Sequence, residues 1–337
     1  NGSFWITNQY GNQLTRIANF TLTGGCAAAA AISAGTATLT AEACVPNNAV
    51  IDPGEIVTVS FCALNTGTAN TTNLVGTMQA SGGVTPISGP QNYGVLTFGG
   101  PAVCRSFQFT NTSSTCGGSI TVSIQLQDGA TNLGTSTWTF TLGTTVVSSS
   151  ENFDAVVAPA LPAGWASVAS SGPAWVTSNA GTPAPPNFSA PNAAYVPNVN
   201  FGDAYLESPL IPIATAGSVV AFRNNFNVEG GWDGGKLFIS INGGPYNDIV
   251  VAGGAFLAGG YTGTINAGAP SPFAGLPART GASGGFTLTP ATLPAAATGQ
   301  NIRLRWRMAS DDIVTVEGWR VDDFSISAPA CCGAACT

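Results

Sequence analysis

The 337 residues carry 9 Lys+Arg, 16 Asp+Glu and no His, for a formal net charge of -7, together with 43 Gly and 22 Pro. Without imidazole there is no Ser/His/Asp or Cys/His nucleophile pair and no His metal ligand, which removes zinc enzymes and the commonest hydrolase machinery. A single lysine, Lys236, excludes recognition of nucleic acid backbones, while 44% apolar content beside 7% charged residues argues for a folded chain. In chain order, residues 1–35 hold two short strand signals, Phe4-Trp5-Ile6 and Arg16 to Phe20. A lone hairpin is marginal in water, so this piece must dock elsewhere. Strands follow at Thr36 to Ala43 and Ile56 to Leu64, separated by the turn-rich Val45 to Glu55. Ile120, Val122, Ile124 and Leu126 alternate with polar residues, as do Trp138, Phe140 and Leu142, which marks half-buried strands. The segment Thr144 to Ser150 reads as the boundary between two blocks. Beyond it, Val220, Phe222 and Phe226 oppose Arg223, Asn225, Asn227 and Glu229, and Ile302, Leu304, Trp306 and Met308 oppose Arg303, Arg305 and Arg307. A loop-rich stretch runs from Gly253 to Gly285. No segment repeats apolar residues at helical spacing, so the chain is all-β.

Within the first block, Asp52-Pro53-Gly54-Glu55, the alternating Val57, Val59 and Phe61, and Leu64-Asn65-Thr66-Gly67-Thr68-Ala69 resemble the CARDB-like immunoglobulin-type modules of bacterial surfaces. The resemblance implies an immunoglobulin-like β-sandwich over residues 36–144 that acts as a spacer. In the second block, Glu151-Asn152-Phe153-Asp154, Leu161-Pro-Ala-Gly-Trp165, Asp203-Ala-Tyr-Leu-Glu-Ser-Pro209, Asp233-Gly-Gly-Lys236 and Gly318-Trp-Arg-Val-Asp-Asp-Phe324 occur in order. Together they resemble the cleaved-adhesin and choice-of-anchor J group, which is similar to MAM domains. That implies a jelly-roll β-sandwich over 151–330 with an adhesive or accessory role. The opening hairpin resembles the last hairpin of a propeller-like repeat domain, which implies a fragment of a longer protein. The competing reading is a strand added to a neighbouring subunit's sheet.

Eight cysteines without a CxxC pair suit disulfides of an oxidising compartment. Cys26, Cys44, Cys62, Cys104 and Cys116 precede the boundary; Cys331, Cys332 and Cys336 lie in a tail, residues 331–337. Four inner cysteines allow three connectivities, of which Cys62 with Cys104 and Cys44 with Cys116 is favoured. Cys26 then meets a tail cysteine, either within the chain or on the next molecule. No apolar run approaches the ~20 residues of a membrane-spanning helix. The absence of an initiator Met and of a leader pattern reads as a mature or excised segment.

Twelve of the sixteen acids fall in the second block. Glu151 and Asp154 on the first strand of a jelly roll and Asp322 and Asp323 on the last can come together, and hard oxygen ligands suit structural Ca²⁺; a calcium site at this cluster is what the resemblance to calcium-stabilised jelly rolls implies. The same carboxylates can instead cap turns or pair with Arg303, Arg305, Arg307 and Arg320. A glycosidase would have to draw on Glu207, Glu229, Asp233 or Glu317, but no catalytic motif surrounds them. Gly230 to Lys236 matches most of a phosphate-binding loop, yet Leu237 replaces the Ser or Thr that holds Mg²⁺ and a strand follows instead of a helix. Trp175, Trp232 and Tyr246, with Tyr195 and Tyr261, sit in loop contexts that suit a sugar-stacking platform or plugs of the sandwich ends. The expectation is a non-enzymatic, secreted structural or adhesive protein of the cell surface, self-associating into a fibre or embedded in a larger surface protein. The alternative is a carbohydrate-binding accessory module that meets glycans.

Overall fold

The computed structural model describes residues 3–10, 14–21 and 27–332. Cys26 and Cys336, and the pairing expected for Cys26, lie outside the described residues. The chain forms two compact units, residues 1–143 with 331–337 and residues 144–330. No helix among the described residues is long and apolar enough to cross a membrane.

The first unit opens with an antiparallel hairpin of β1 (Ser3–Tyr10) and β2 (Leu14–Thr21). Its sandwich is built from β3 (Ile32–Glu42), β4 (Ile56–Asn65), β5 (Leu74–Met78), β6 (Val84–Pro86), β7 (Gln91–Gly94), β8 (Val103–Asn111), β9 (Ser119–Asp128) and β10 (Thr131–Thr141). One sheet has the order β3-β4-β8-β6 and the other β10-β9-β5-β7. Period-two patterning explains both: Val57, Val59 and Phe61 of β4 and Ile120, Val122, Ile124 and Leu126 of β9 all turn into one core. Phe61 sits at its centre, 4.8 Å from the Trp138 ring and 6.0 Å from Phe107. The turn at Asp52-Pro53-Gly54-Glu55 is buried at both acids. Glu55 accepts the Cys44 and Asp52 amides at 2.9 Å, and Asp52 Oδ1 accepts the Cys332 amide at 3.0 Å. Gly54 makes this turn possible, with φ at +78° where a side chain would be strained.

Among the described residues, three disulfides close this unit: Cys62–Cys104, Cys44–Cys332 and Cys116–Cys331. The first joins register partners on β4 and β8, as expected. The expected Cys44–Cys116 bond is not formed. Each of these cysteines instead takes a tail cysteine, because the chain re-enters the first unit directly after its last strand.

The second unit comprises β11 (Thr144–Glu151), β12 (Ala166–Ser171), β13 (Val176–Ser178), β14 (Ala193–Val196), β15 (Asp203–Glu207), β16 (Ile211–Ile213), β17 (Val219–Asn227) and β18 (Gly234–Ile241). It continues with β19 (Asn247–Asp248), β20 (Ala255–Phe256), β21 (Gly263–Thr264), β22 (Pro277–Ala278), β23 (Thr287–Thr292), β24 (Gln300–Ala309) and β25 (Gly318–Ala330). One sheet runs β13-β14-β25-β17-β23-β20 with β11 beside β25; the other runs β12-β15-β24-β18-β19 with β16 beside β24. The chain crosses from sheet to sheet after β11, β12, β14, β16, β17, β19, β23 and β24, the back-and-forth of a jelly roll. Between the sheets, Trp306 packs its ring 5.7 Å from Trp165, 5.4 Å from Phe222 and 5.7 Å from Phe324. The protein is therefore all-β and built of two sandwiches. The stretch read from sequence as a boundary, Thr144 to Ser150, is itself a strand. Its pairing with β25, from Thr144 opposite Ala330 to Glu151 opposite Phe324, supplies order that its own serine-rich pattern does not announce.

Candidate functional site

The four carboxylates expected to hold calcium lie on β11, on the turn after it, and on β25. Glu151 accepts the Phe153 amide at 2.8 Å, closing its own turn. Asp154 and Asp323 meet at Ser189, whose Oγ lies 3.3 Å from one and 2.7 Å from the other. Asp154 also accepts the Asn192 amide at 2.8 Å. Asp322 is fully buried and accepts the Phe188 and Ser189 amides at 2.8 and 3.2 Å and the Asp323 amide at 2.8 Å. Burial nevertheless pushes its carboxyl up to about 7, against the pull of those amides. These oxygens thus anchor the loop 180–191 across the outer face of β25.

The same loop explains a buried arginine without an acid partner. Pro183, Pro185 and Pro186 have no N–H to donate, so the loop carries surplus carbonyls. Arg320, fully buried, donates to the carbonyls of Ala180 at 2.7 Å, Pro186 at 2.9 Å, Pro183 at 3.1 Å and Thr182 at 3.2 Å. Asn225 Nδ2 adds bonds to Pro183, Ala184 and Pro185.

A second acidic group forms where β17, β18 and β24 end. Glu229 follows β17, Asp233 precedes β18, and Asp311 follows β24; the pairing of Gly234 with Ala309 brings the last two together. One carboxylate oxygen from each lies within 4.8 Å of the others. Asp233 and Asp311 are buried. Asp233 accepts Asn198 Nδ2 at 2.6 Å and the Asp311 amide at 2.7 Å, whereas Glu229 Oε2 is buried with no hydrogen-bond partner. Burial first, then the neighbouring acids, raises the Glu229 carboxyl; burial also raises that of Asp233, with Asp311 adding to it. Such a group can hold a metal ion. A further acid, Asp52, lies close to Cys44 and Cys332, but those sulfurs are spent on a disulfide. Sequence reasoning named Glu229 and Asp233 only as catalytic candidates and did not join them to Asp311. The usable signal was that each flanks a strand end, and strand pairing is what makes flanking residues neighbours.

The aromatic candidates divide. Trp175 is 1% exposed, edge-on to Trp319 at 5.4 Å, with its Nε1 donating to the Ala204 carbonyl at 3.3 Å. It is a core plug, not a sugar platform, because this residue, just before β13, packs into the core between the sheets. Trp232 is 36% exposed, beside the acidic group. Tyr246 is half-buried on the outer face of β15, β24 and β18. There the Arg305 guanidinium lies between two rings, 3.8 Å from Tyr205 and 3.6 Å from Tyr246, and its edge meets Glu207. Burial, with a hydrogen bond to Glu207, pushes the Tyr246 hydroxyl up to about 12. Farther along this sheet, Lys236 is buried against Asp248 at 2.8 Å and lies 5.0 Å from the Tyr261 ring centre, so the phosphate-loop-like segment is structural. Tyr261 in turn donates to Asp248 at 2.7 Å.

No family model matches the chain, and no curated protein sequence matches it either. Among solved structures, the K1 cleaved adhesin domain of Lys-gingipain from Porphyromonas gingivalis W83 is similar over 56% of this chain and 100% of that one, at 16% identity and a TM-score of 0.32. Carbohydrate-binding modules from the β-sandwich superfamily are similar over 88% of this chain and 98% of theirs, at 13% identity and a TM-score of 0.35. TmCBM61 in complex with β-1,4-galactotriose is similar over 49% of this chain and 88% of its own, at 13% identity and a TM-score of 0.32. None of these likenesses assigns a role to a residue of this chain.

Proposed function

We propose that the chain is a non-enzymatic, extracellular structural or adhesive module that associates with further copies of itself or with neighbouring domains of a surface protein. The observation that carries this reading is the open edge of β11. Its one neighbour among the described residues is β25, Val146 and Val147 are 50% and 57% exposed, and no charge appears in the strand before Glu151. An uncharged edge of β-branched residues is a template for another strand. Disulfides fit an oxidising compartment, and a low charge density weakens self-repulsion. Two of the four candidate glycosidase carboxylates are engaged structurally: Glu207 with Arg305, and Glu317 with Asn227 at 2.9 Å.

Calcium is proposed as a structural ion at Glu229, Asp233 and Asp311. What sets this group apart from Glu151, Asp154, Asp322 and Asp323 is the buried Glu229 Oε2, which has no hydrogen-bond donor. Electron microscopy of native, unreduced protein, with gels run with and without reductant, tests the assembly reading. Ordered filaments that Val147→Lys abolishes without lowering the melting temperature are expected. A homogeneous monomer under both gel conditions and on the grid overturns it. Glycan binding is the second reading, favoured by the Tyr205–Arg305–Tyr246 stack.

A further inference from the structure

Three arginines project in a row from one face of β24, about 7 Å apart along the strand, and their partners differ. Arg307 forks onto Asp203 with two bonds of 2.7 Å, and Arg305 is held by Glu207. Arg303 has no carboxylate partner among the described residues; its Nη1 donates to the Ser208 carbonyl at 2.9 Å. Its Nε and Nη2 are left as a donor pair of the geometry that accepts a carboxylate side-on. This positive charge stands uncompensated on a molecule whose net charge is -7.

Beside it, the Tyr205 and Tyr246 rings are already fixed by stacking on the two faces of Arg305. Both tyrosines are only half-buried. Rings held before a ligand arrives lose little conformational freedom on binding. Tyr246 and Arg303 are close enough for the arginine's charge to act on the phenol. A ligand suited to this face needs an apolar ring face to lie on a tyrosine and a carboxylate on the same ring to reach Arg303. A pyranose carrying a carboxylate meets both demands, and a neutral hexose meets only the first.

We infer that the outer face of β15, β24 and β18 binds uronate-containing polysaccharide, with the sugar ring on Tyr246 and its carboxylate on Arg303. This deepens the glycan-binding form of the adhesive reading and rests on it. The test is calorimetric titration of the full chain with oligogalacturonate and oligoguluronate, with neutral galacto- and cello-oligosaccharides of equal length as comparison. Binding of an acidic oligomer is expected, weakened by added salt, with neutral oligomers at least tenfold weaker, about 1.4 kcal/mol. Arg303→Gln and Tyr246→Ala each lower affinity at least tenfold, while Arg303→Lys, which keeps the charge and loses the fork, retains part of it. Melting curves of all three variants show whether the fold survives; Arg303→Lys carries the test if Arg303→Gln does not fold. Absence of binding by the wild-type chain at about 1 mM oligomer, equal binding of neutral oligomers, or unchanged affinity in Arg303→Gln overturns the inference. Filaments without uronate binding would sink this inference alone and leave the assembly reading standing.

Discussion

At the residue scale, the second unit places charge where water is scarce, and its acids answer to pH. The Asp322 carboxyl stands at about 7 in the fold and near the ordinary 3.9 in the unfolded chain. The fold therefore binds the proton more tightly, and the stability this group contributes is fully present below about pH 4 and lost as the pH rises through 7. Asp322→Asn removes the titration, so its urea midpoint, although lower from lost amide contacts, should change less between pH 4.5 and 7.5 than that of the wild type. Parallel pH profiles would show that Asp322 does not titrate in this window. Glu229 and Asp233 are raised in the same direction, so without a cation they too weaken the fold as pH rises. A bound divalent ion reverses that sign. Calcium at about 100 times its dissociation constant should add roughly 2.7 kcal/mol at neutral pH. Calorimetry in CaCl₂ against EDTA checks it, with Glu229→Gln and Asp233→Asn abolishing the shift. Sequence reasoning named both outward groups of β25, Asp322 as a calcium ligand and Arg320 as a partner of acids. What was not legible was the proline-rich loop that draws on those outward groups, because a surplus of carbonyls acquires meaning only once the loop is laid over the strand.

At the element scale, strands with period-two patterning were readable and strands held by a neighbour were not. The β24 pattern predicted both its core face and its arginine row, whereas β11 has exposed residues on both sides and owes its order to β25. The edges of the first sandwich are treated differently from β11. At one end they are short, three residues in β6 and four in β7. At the other end the two 11-residue edge strands, β3 and β10, are linked across the sheets by Trp138 Nε1, which donates to the Gly35 carbonyl at 2.9 Å. That bond occupies a carbonyl on a strand with no charge before Glu42. Trp138→Phe keeps the ring packing against Phe61 and loses the bond. It should cost about 1 kcal/mol in chemical denaturation and raise light scattering at high concentration, since it frees the β3 edge. A variant as stable and as soluble as the wild type would remove this protective role from Trp138.

At the scale of the whole molecule, the jelly roll is an insertion into the first unit, entered at Thr144 and left at Ala330. Sequence reasoning placed the two sandwiches one after the other and gave the tail cysteines only Cys26 to pair with, because nothing local says that residues 331 and 332 return to Cys116 and Cys44. The pairing of Thr144 with Ala330 changes the energetics of those bonds. Cys116 and Cys331 are 215 residues apart in sequence, yet while the jelly roll stays folded its own strands hold its ends together. The loop that the disulfide then closes has an effective length of about 30 residues, for which chain entropy gives roughly 3.6 kcal/mol. That stabilisation belongs to the first unit, whose unfolded ensemble is the one constrained. Replacing both Cys116 and Cys331 with Ser should therefore lower the calorimetric transition of the first unit by about 3–4 kcal/mol and leave that of the jelly roll in place. If the two transitions fall together, the ends of the insertion are held by the disulfide and not by the β11–β25 pair.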